Sequence, residues 1–327
     1  MLRINDLLTR FWLRPASTAH ITLFHASHET TPTSLADPLH NVDPAAAFEQ
    51  IEWLGRFYDF MSVDDWFSAG RPAGKIAITV DDGYRCTLRN LVSALAAEDI
   101  PITVFLCGRA LQGGLLWRDK VRALITTDTV VPFLEWVEQR NVPLLLGKSD
   151  FYRVSKSPTV HSPTLETAIN EYVEEKAGWL RDIFDALVAE FADTAELIDD
   201  PNISYGNHTF NHYVMASLST AEQKREIVDN ELFLNGLGVR RSRVFALPFG
   251  RSTDYNETTV QMCKQAGLRG FLLSDHRVNF TRSRTTPIPW TAHRYMMPGQ
   301  ARQLRRRTFQ MTWVAPVKNL LRPFARR

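Results

Sequence analysis

The sequence predicts an α/β fold in which parallel strands alternate with helices, as in a (β/α) barrel or a doubly wound sheet. Three observations predict it. Apolar, β-rich runs recur at 75–80 (KIAITV), 101–106 (PITVFL), 243–247 (RVFAL) and 270–274 (GFLLS). Segments of helical character lie between neighbouring runs. The connections are short, and a strand–helix–strand unit of that kind builds a parallel sheet.

Each element has its own signal. KIAITV reads as a buried strand. Residues 87–98 place Leu88, Leu91, Val92 and Leu95 on one helical face, and PITVFL completes the unit. Residues 118–200 break this rhythm. They are strand-poor and largely helical, as in LETAINEYVEEKAGWLRDIFDALVAEFADTAELI, and suggest a helical insertion on a barrel. Ser219-Thr-Ala-Glu222 is a capping box that opens a helix through about Leu234. RVFAL is then a strand, Asp254 to about Ala266 a helix, and GFLLS a strand.

The totals are compatible with this. A chain of 327 residues makes one large α/β domain with an insertion, or two ordinary domains. Hydrophobic content of 44% and charged content of 23% are ordinary for a soluble globular protein. Cys86, Cys107 and Cys263 are odd in number and lack a metal-site spacing, so a reducing compartment, or plain core cysteines, is expected. No run of about 18 apolar residues predicts a transmembrane helix. MLRINDLLTRFWLRPAS is interrupted by Arg10 and Arg14 and does not read as a secretion signal, which makes a cytoplasmic location the expectation.

The chemistry is concentrated in ITVDDGYR (78–85). Asp81 and Asp82 sit at the C-terminal end of a strand, where α/β barrels build active sites, and Gly83 permits a tight turn. Adjacent carboxylates are tolerable if one binds a cation and the other is left free as a base. GNHTFNHYVMASLS (206–219) adds His208 and His212, whose H-x-x-x-H spacing lets two imidazoles converge on one ion. Two histidines, one carboxylate and open positions make a hydrolytic zinc-type site, and other divalent ions fit the same ligands.

These residues resemble the polysaccharide deacetylases, the NodB-homology group of carbohydrate esterases. TVDDGY (79–84), HTFNH (208–212) and ALPFG (246–250) are similar to the family's first three motifs, and the resemblance covers roughly residues 20–117 and 203–295. It implies a distorted (β/α) barrel over 20–300 with the helical insertion at about 118–202. It implies a hydrolase that removes acetyl groups from N-acetylated sugars with a divalent metal: zinc first, with cobalt, nickel or manganese as alternatives. Asp81 would be the general base. Asp82, His208 and His212 would hold the metal, and the Phe249 backbone amide would help bind the oxyanion. Tyr84, Pro248 and Gly250 would face the substrate. The substrate would be an N-acetylated glycan or a lipid- or nucleotide-linked sugar.

For the acid, most of the family uses a histidine near the domain's C-terminal end. His276 and His293 lie there, without the usual Leu-His setting. The circularly permuted exopolysaccharide deacetylases carry it on the first strand, and ITLFHASHE (21–29) is similar to that strand. His25 is the expected acid and His293 the second choice. Three positions depart from the family pattern: Val80, Tyr213 and Ala246, the last standing where an arginine normally orients the base. The missing arginine leaves open how Asp81 is tuned and whether activity is reduced. A hydrolase of another amide or ester on the same barrel, or an inactive carbohydrate-binding homologue, are the rival readings.

The two ends are basic. Residues 301–327 hold seven Arg, one Lys and no acid, so they carry +8, and the other 300 residues carry −6, the difference from the total of +2. Ile4, Leu7, Leu8, Phe11 and Trp12 form one apolar stripe in an N-terminal amphipathic helix over 1–19. Phe309, Trp313, Leu320, Leu321 and Phe324 lie among the arginines of the tail. Peripheral attachment to an anionic membrane surface is the expectation for both ends. Specific nucleic-acid binding is not expected, because no basic patch lies within the core region.

Overall fold

The structure, a computed structural model, describes residues 18–32, 40–144, 146, 147, 150–275, 277–281 and 290–310. The expected N-terminal stripe, His276 and residues 311–327 lie outside them. Ten strands form one sheet: β1 (Thr18–Phe24), β2 (Asp59–Phe60), β3 (Lys75–Asp82), β4 (Ile102–Leu106), β5 (Ile203–Asn207), β6 (Arg241–Ala246), β7 (Gly270–Leu273), β8 (Asn279–Phe280), β9 (Thr291–His293) and β10 (Tyr295–Met296).

In space the order is β10-β1-β3-β4-β5-β6-β7-β9, and all pairs along it are parallel. β2 lies along β3, and β8 runs antiparallel to β1. A single residue, Arg294, separates β9 from β10. One of these strands pairs with β7 and the other with β1, so residues 291–296 tie the two ends of the sheet together. The result is the nearly closed, distorted (β/α) barrel that the sequence predicts.

Strand alternation sorts side chains into two layers. On β3, Ile76, Ile78 and Val80 face outward and pack with Leu88, Leu91, Val92 and Leu95, the predicted helical face. That helix runs from Arg85 to Ala97 with a π-type segment at Leu88–Val92. Ala77 faces the interior with Ile21, Phe105, Val244 and Leu272, and the helix Val63–Ser68 adds Trp66 and Phe67 to that set. β1, β3, β4, β5 and β7 are buried on both faces almost throughout, as central parallel strands require.

The stretch between β4 and β5 contributes helices Trp117–Thr126, Val130–Gln139, Phe151–Ser155, Ser162–Lys176 and Leu180–Val188. They share a core built on Trp117, Phe133, Ile169 and Tyr172, with Phe249 packed against it. The capping box closes at Ser219 as predicted, with the Glu222 amide donating to the Ser219 hydroxyl. At the other end, helix Ala301–Phe309 buries Leu304 in the outer layer while Arg302, Arg305 and Arg306 stay exposed. This first part of the basic tail is therefore docked on the barrel. No helix among the described residues is long and apolar enough to cross a membrane.

Gly206, in β5 just before the histidine loop, has no room for a side chain. A Cβ there would lie 2.4 Å from the Phe105 ring and 3.2 Å from the Val244 carbonyl oxygen. Gly206→Ala is expected to cost about 1–3 kcal/mol of stability by overpacking, read as a lower urea midpoint at unchanged slope.

Candidate active site

The site starts where β3 ends. By alternation Asp81 follows Ala77 and Thr79 into the interior. Asp82 would then face the outer layer, but its left-handed backbone, with φ 77°, breaks the alternation. Gly83 follows at φ 83°, and a Cβ on it would meet Leu106 at 2.7 Å. A non-glycine residue held at positive φ costs about 1–3 kcal/mol and persists only where its surroundings enforce it. Thr209, His212 and Phe249 share this conformation.

Each carboxylate has its own cation. Arg294, fully buried, donates to both oxygens of Asp81 at 2.6 and 2.7 Å. Burial would raise the Asp81 pKa, but the Arg294 charge, helped by His208, holds it below the usual carboxylate value. Arg118 lies 2.9 Å from Asp82 Oδ2, and against the same burial it keeps that carboxyl well below the usual range. Arg294 also bears on the question that Ala246 leaves open. Asp81 does not lack an arginine partner, because the barrel-closing segment delivers one.

The histidines come from the loop after β5. His208 Nδ1 is 2.7 Å from the Ala246 carbonyl oxygen, which can only accept, so Nδ1 carries the proton and Nε2 presents a bare lone pair. That Nε2 is 3.5 Å from Asp82 Oδ1 and 3.6 Å from Asp81 Oδ2, and His212 Nε2 is also 3.5 Å from Asp82 Oδ1. The loop is pinned where it turns. The His212 amide donates to Thr209 Oγ1 at 3.0 Å, and Trp117 Nε1 donates to the His212 carbonyl at 2.8 Å. Trp117 is thus a buried packing and anchoring residue.

Whether a metal suits these residues can be read from their unfilled valences. Asp82, His208 and His212 are buried, with ligand atoms within 4.8 Å of one another. Among the described residues no donor is well aligned on either Asp82 oxygen. The His208 Nε2 lone pair facing the Asp82 oxygen at 3.5 Å is unfavourable unless a cation lies between them. Two nitrogens and one oxygen are a donor set for a divalent ion with open positions. Arg118 approaches the other oxygen, so it does not compete for the same lone pair.

A cavity of about 160 Å³ opens beside this group, lined by Asp81, His208, His212, His25 and Phe249 among others. His25 follows β1, next to β3, and its Nδ1 has no hydrogen-bond partner among the described residues. Burial pushes its pKa down to about 4, against the pull of Asp82 and Asp81. His293 is elsewhere. Its Nδ1 pairs with Asp275 at 2.6 Å, and it does not line the cavity. Phe249 sets its ring edge-on to His212, with centroids 4.8 Å apart, and its amide bonds to no acceptor among the described residues. Gly250 needs its φ of 74° and its bare α-carbon, since a Cβ would meet the Ser274 amide at 2.4 Å. Tyr84, expected to face substrate, is fully buried against Phe191, and its hydroxyl accepts from Arg122 at 3.1 Å.

Sequence reasoning missed Arg294, Arg118, Arg122, Tyr152, Lys156 and Arg251. A local pattern marks none of them; a buried Asp pair demanding nearby cations was the available signal. A larger cavity of about 380 Å³ lies behind the histidine loop at Phe210, Asn211 and Glu226, but neither His208 nor His212 lines it.

The polysaccharide deacetylase family model matches residues 69–128 and 166–271, about half of the chain. No curated protein matches the sequence. Among solved structures, the deacetylase PplD of Streptococcus pyogenes, in complex with acetate, is similar at 15% identity and a TM-score of 0.53, covering 90% of this chain and 99% of that one. IcaB from Ammonifex degensii is similar at 13% identity and a TM-score of 0.51, covering 90% and 97%. BC0361, a polysaccharide deacetylase from Bacillus cereus, is similar at 12% identity and a TM-score of 0.50, covering 89% and 69%. At these identities the likeness is one of fold.

Proposed function

The chain belongs to the polysaccharide deacetylase family, and from that premise we propose that it is a metal-dependent hydrolase that removes the N-acetyl group from a sugar of a polysaccharide or glycan precursor. The observation that carries this reading is a divalent-ion donor set, Asp82, His208 and His212, whose two histidines line one cavity with a separately paired carboxylate, Asp81, beyond the C-terminal end of β3.

Asp82, His208 and His212 would hold the ion, zinc first, with cobalt, nickel or manganese as alternatives. When bound, such an ion supplies Lewis acidity at the acetamide oxygen and a water of lowered pKa. The remaining steps belong to the chain. Asp81, kept anionic by Arg294, accepts the proton of the attacking water. The water oxygen adds to the acetyl carbon, and the unpaired Phe249 amide donates to the developing oxyanion, a contribution of about 3–4 kcal/mol for one such donor. The C–N bond then breaks, a proton passes to the departing nitrogen, and acetate and a free amine leave. In this reading His25, which lines the same cavity, gives that proton. Burial holds its pKa down to about 4, so in this reading it takes up the proton that Asp81 removed from the water and passes it to the departing nitrogen.

The test is metal content by elemental analysis beside acetate release from N-acetylated oligosaccharides, with and without chelator. One divalent ion per chain and chelator-sensitive acetate release are expected. His25→Ala is expected to lower kcat by about 10²–10⁴-fold while the ion is retained. The Arg118 contact with Asp82 favours a second reading, a metal-free sugar-binding protein in which the arginine alone neutralises the carboxylate. Sugar binding without any ion or turnover would select it.

A further inference from the structure

We propose, resting on the deacetylase reading, that the sugar taken by this site carries an anionic oxygen group, phosphate or carboxylate, and that Lys156, Arg251 and Arg122 receive it.

The cavity lining is rich in cations. Arg118, Arg122, Lys156 and Arg251 line it, against Asp81 alone among lining carboxylates. Most of these charges are answered. Arg118 pairs with Asp82 and reaches Asp119 at 3.8 Å, and Arg122 shares that same Asp119 at 2.7 Å. Arg251 holds Asp254 at 2.7 Å. Lys156 has no carboxylate within ion-pair distance among the described residues. Its ammonium lies 3.5 Å from the centroid of the Tyr152 ring and 5.5 Å from that of Phe249. With Arg294, five cations therefore face four carboxylates here, and a divalent ion would widen the excess.

The surroundings register that excess. Burial pushes the Tyr152 phenol up, yet Arg122, Lys156 and Arg118 together bring it below its usual value. Burial lowers the Lys156 pKa most, and Arg251 adds to the effect, while the Tyr152 phenol pulls the other way. A neutral sugar is poorly suited to this wall. It would desolvate an unpaired ammonium without neutralising it. The Tyr152 face on which a sugar ring could stack is already covered by Lys156. An anionic group removes both objections through charge-assisted hydrogen bonds.

Position supports a role in specificity. The family match breaks between residues 128 and 166, and Tyr152 and Lys156 fall in the break. The cationic wall is thus grafted onto the barrel largely by the helical stretch between β4 and β5.

The experiment has a binding arm and a turnover arm. Chelator-treated full-length protein, in which no ion can capture the anion, is titrated calorimetrically with N-acetylglucosamine, its 6-phosphate and N-acetylglucosaminuronate. Tighter binding of an anionic sugar is expected, weakened about 10-fold or more in Lys156→Gln and restored in Lys156→Arg. Binding of the phosphate alone assigns phosphate; equal binding of the uronate assigns carboxylate. Equal affinity for all three sugars, or anion binding unchanged in both Lys156→Gln and Arg251→Gln, overturns the proposal. With the metal-loaded protein, kcat/KM for acetate release should favour the anionic sugar, and that preference should fall in Lys156→Gln through KM. Anion binding with no acetate release from any sugar would overturn the deacetylase reading and leave the anion site standing. Acetate release with no preference would do the reverse.

Discussion

His208→Ala is expected to abolish divalent-ion binding and acetate release together. The Nε2 lone pair of His208 is directed at Asp82 Oδ1 because Nδ1 is committed to the Ala246 carbonyl. Removing the ring takes away one of three donors and leaves that carbonyl without its partner. Loss of the ion forfeits several kcal/mol of charge stabilisation, so turnover should fall about 10³-fold or more. Elemental analysis should find no bound ion in the variant. Added zinc should raise the melting temperature of the natural protein by mass action and leave the variant unmoved. Full ion occupancy in His208→Ala would sink the assignment, and an unchanged kcat in that variant would remove the ion from the chemistry.

The second large effect is expected of Arg294→Met. The substitution strands the buried Asp81 carboxylate, which now receives two bonds at 2.6 and 2.7 Å. Breaking a buried pair by removing one partner costs about 3–5 kcal/mol. The pH dependence follows from the direction of the shift. In the natural protein Asp81 lies below its ordinary value of 3.8, because the Arg294 charge outweighs burial. A depressed carboxylate contributes stability that is present above the unfolded pKa and is lost as pH falls through the folded one. Without Arg294, burial raises the group instead. The stability difference between the two proteins should therefore be full at neutral pH and shrink on acidification.

A base must also be ionised to act. The acid limb of kcat/KM in Arg294→Met should accordingly move up by about 1–3 pH units. Urea melts at several pH values and a pH–rate profile read the two effects separately. An acid limb that stays put would mean that Asp81 is not the base whose charge Arg294 maintains.

Much of the fold was legible because its signals are local. The runs at 75–80, 101–106, 243–247 and 270–274 became β3, β4, β6 and β7 because apolar β-rich residues suit strands buried on both faces. The capping box at Ser219 needed only four residues to declare itself. The short pairs β2, β8, β9 and β10 were not legible. Two or three residues carry no periodicity, and their pairing depends on where the sheet ends meet.

The sequence by itself determined the metal-ligand candidates. Asp82, His208 and His212 sit in two compact motifs whose geometry is set within a few residues, and the buried group assembles from them as those motifs imply. Only the tertiary structure decided how the site is charged. Arg294 stands 213 residues from Asp81, and it reaches the carboxylate because β9 and β10 join opposite ends of the sheet. Arg118, Arg122 and Lys156 reach the cavity because a helical stretch folds back over it. An arginine's hydrogen bonds do not depend on where in the chain its partner lies. A missing motif arginine at Ala246 could therefore be read from sequence, and its replacement could not.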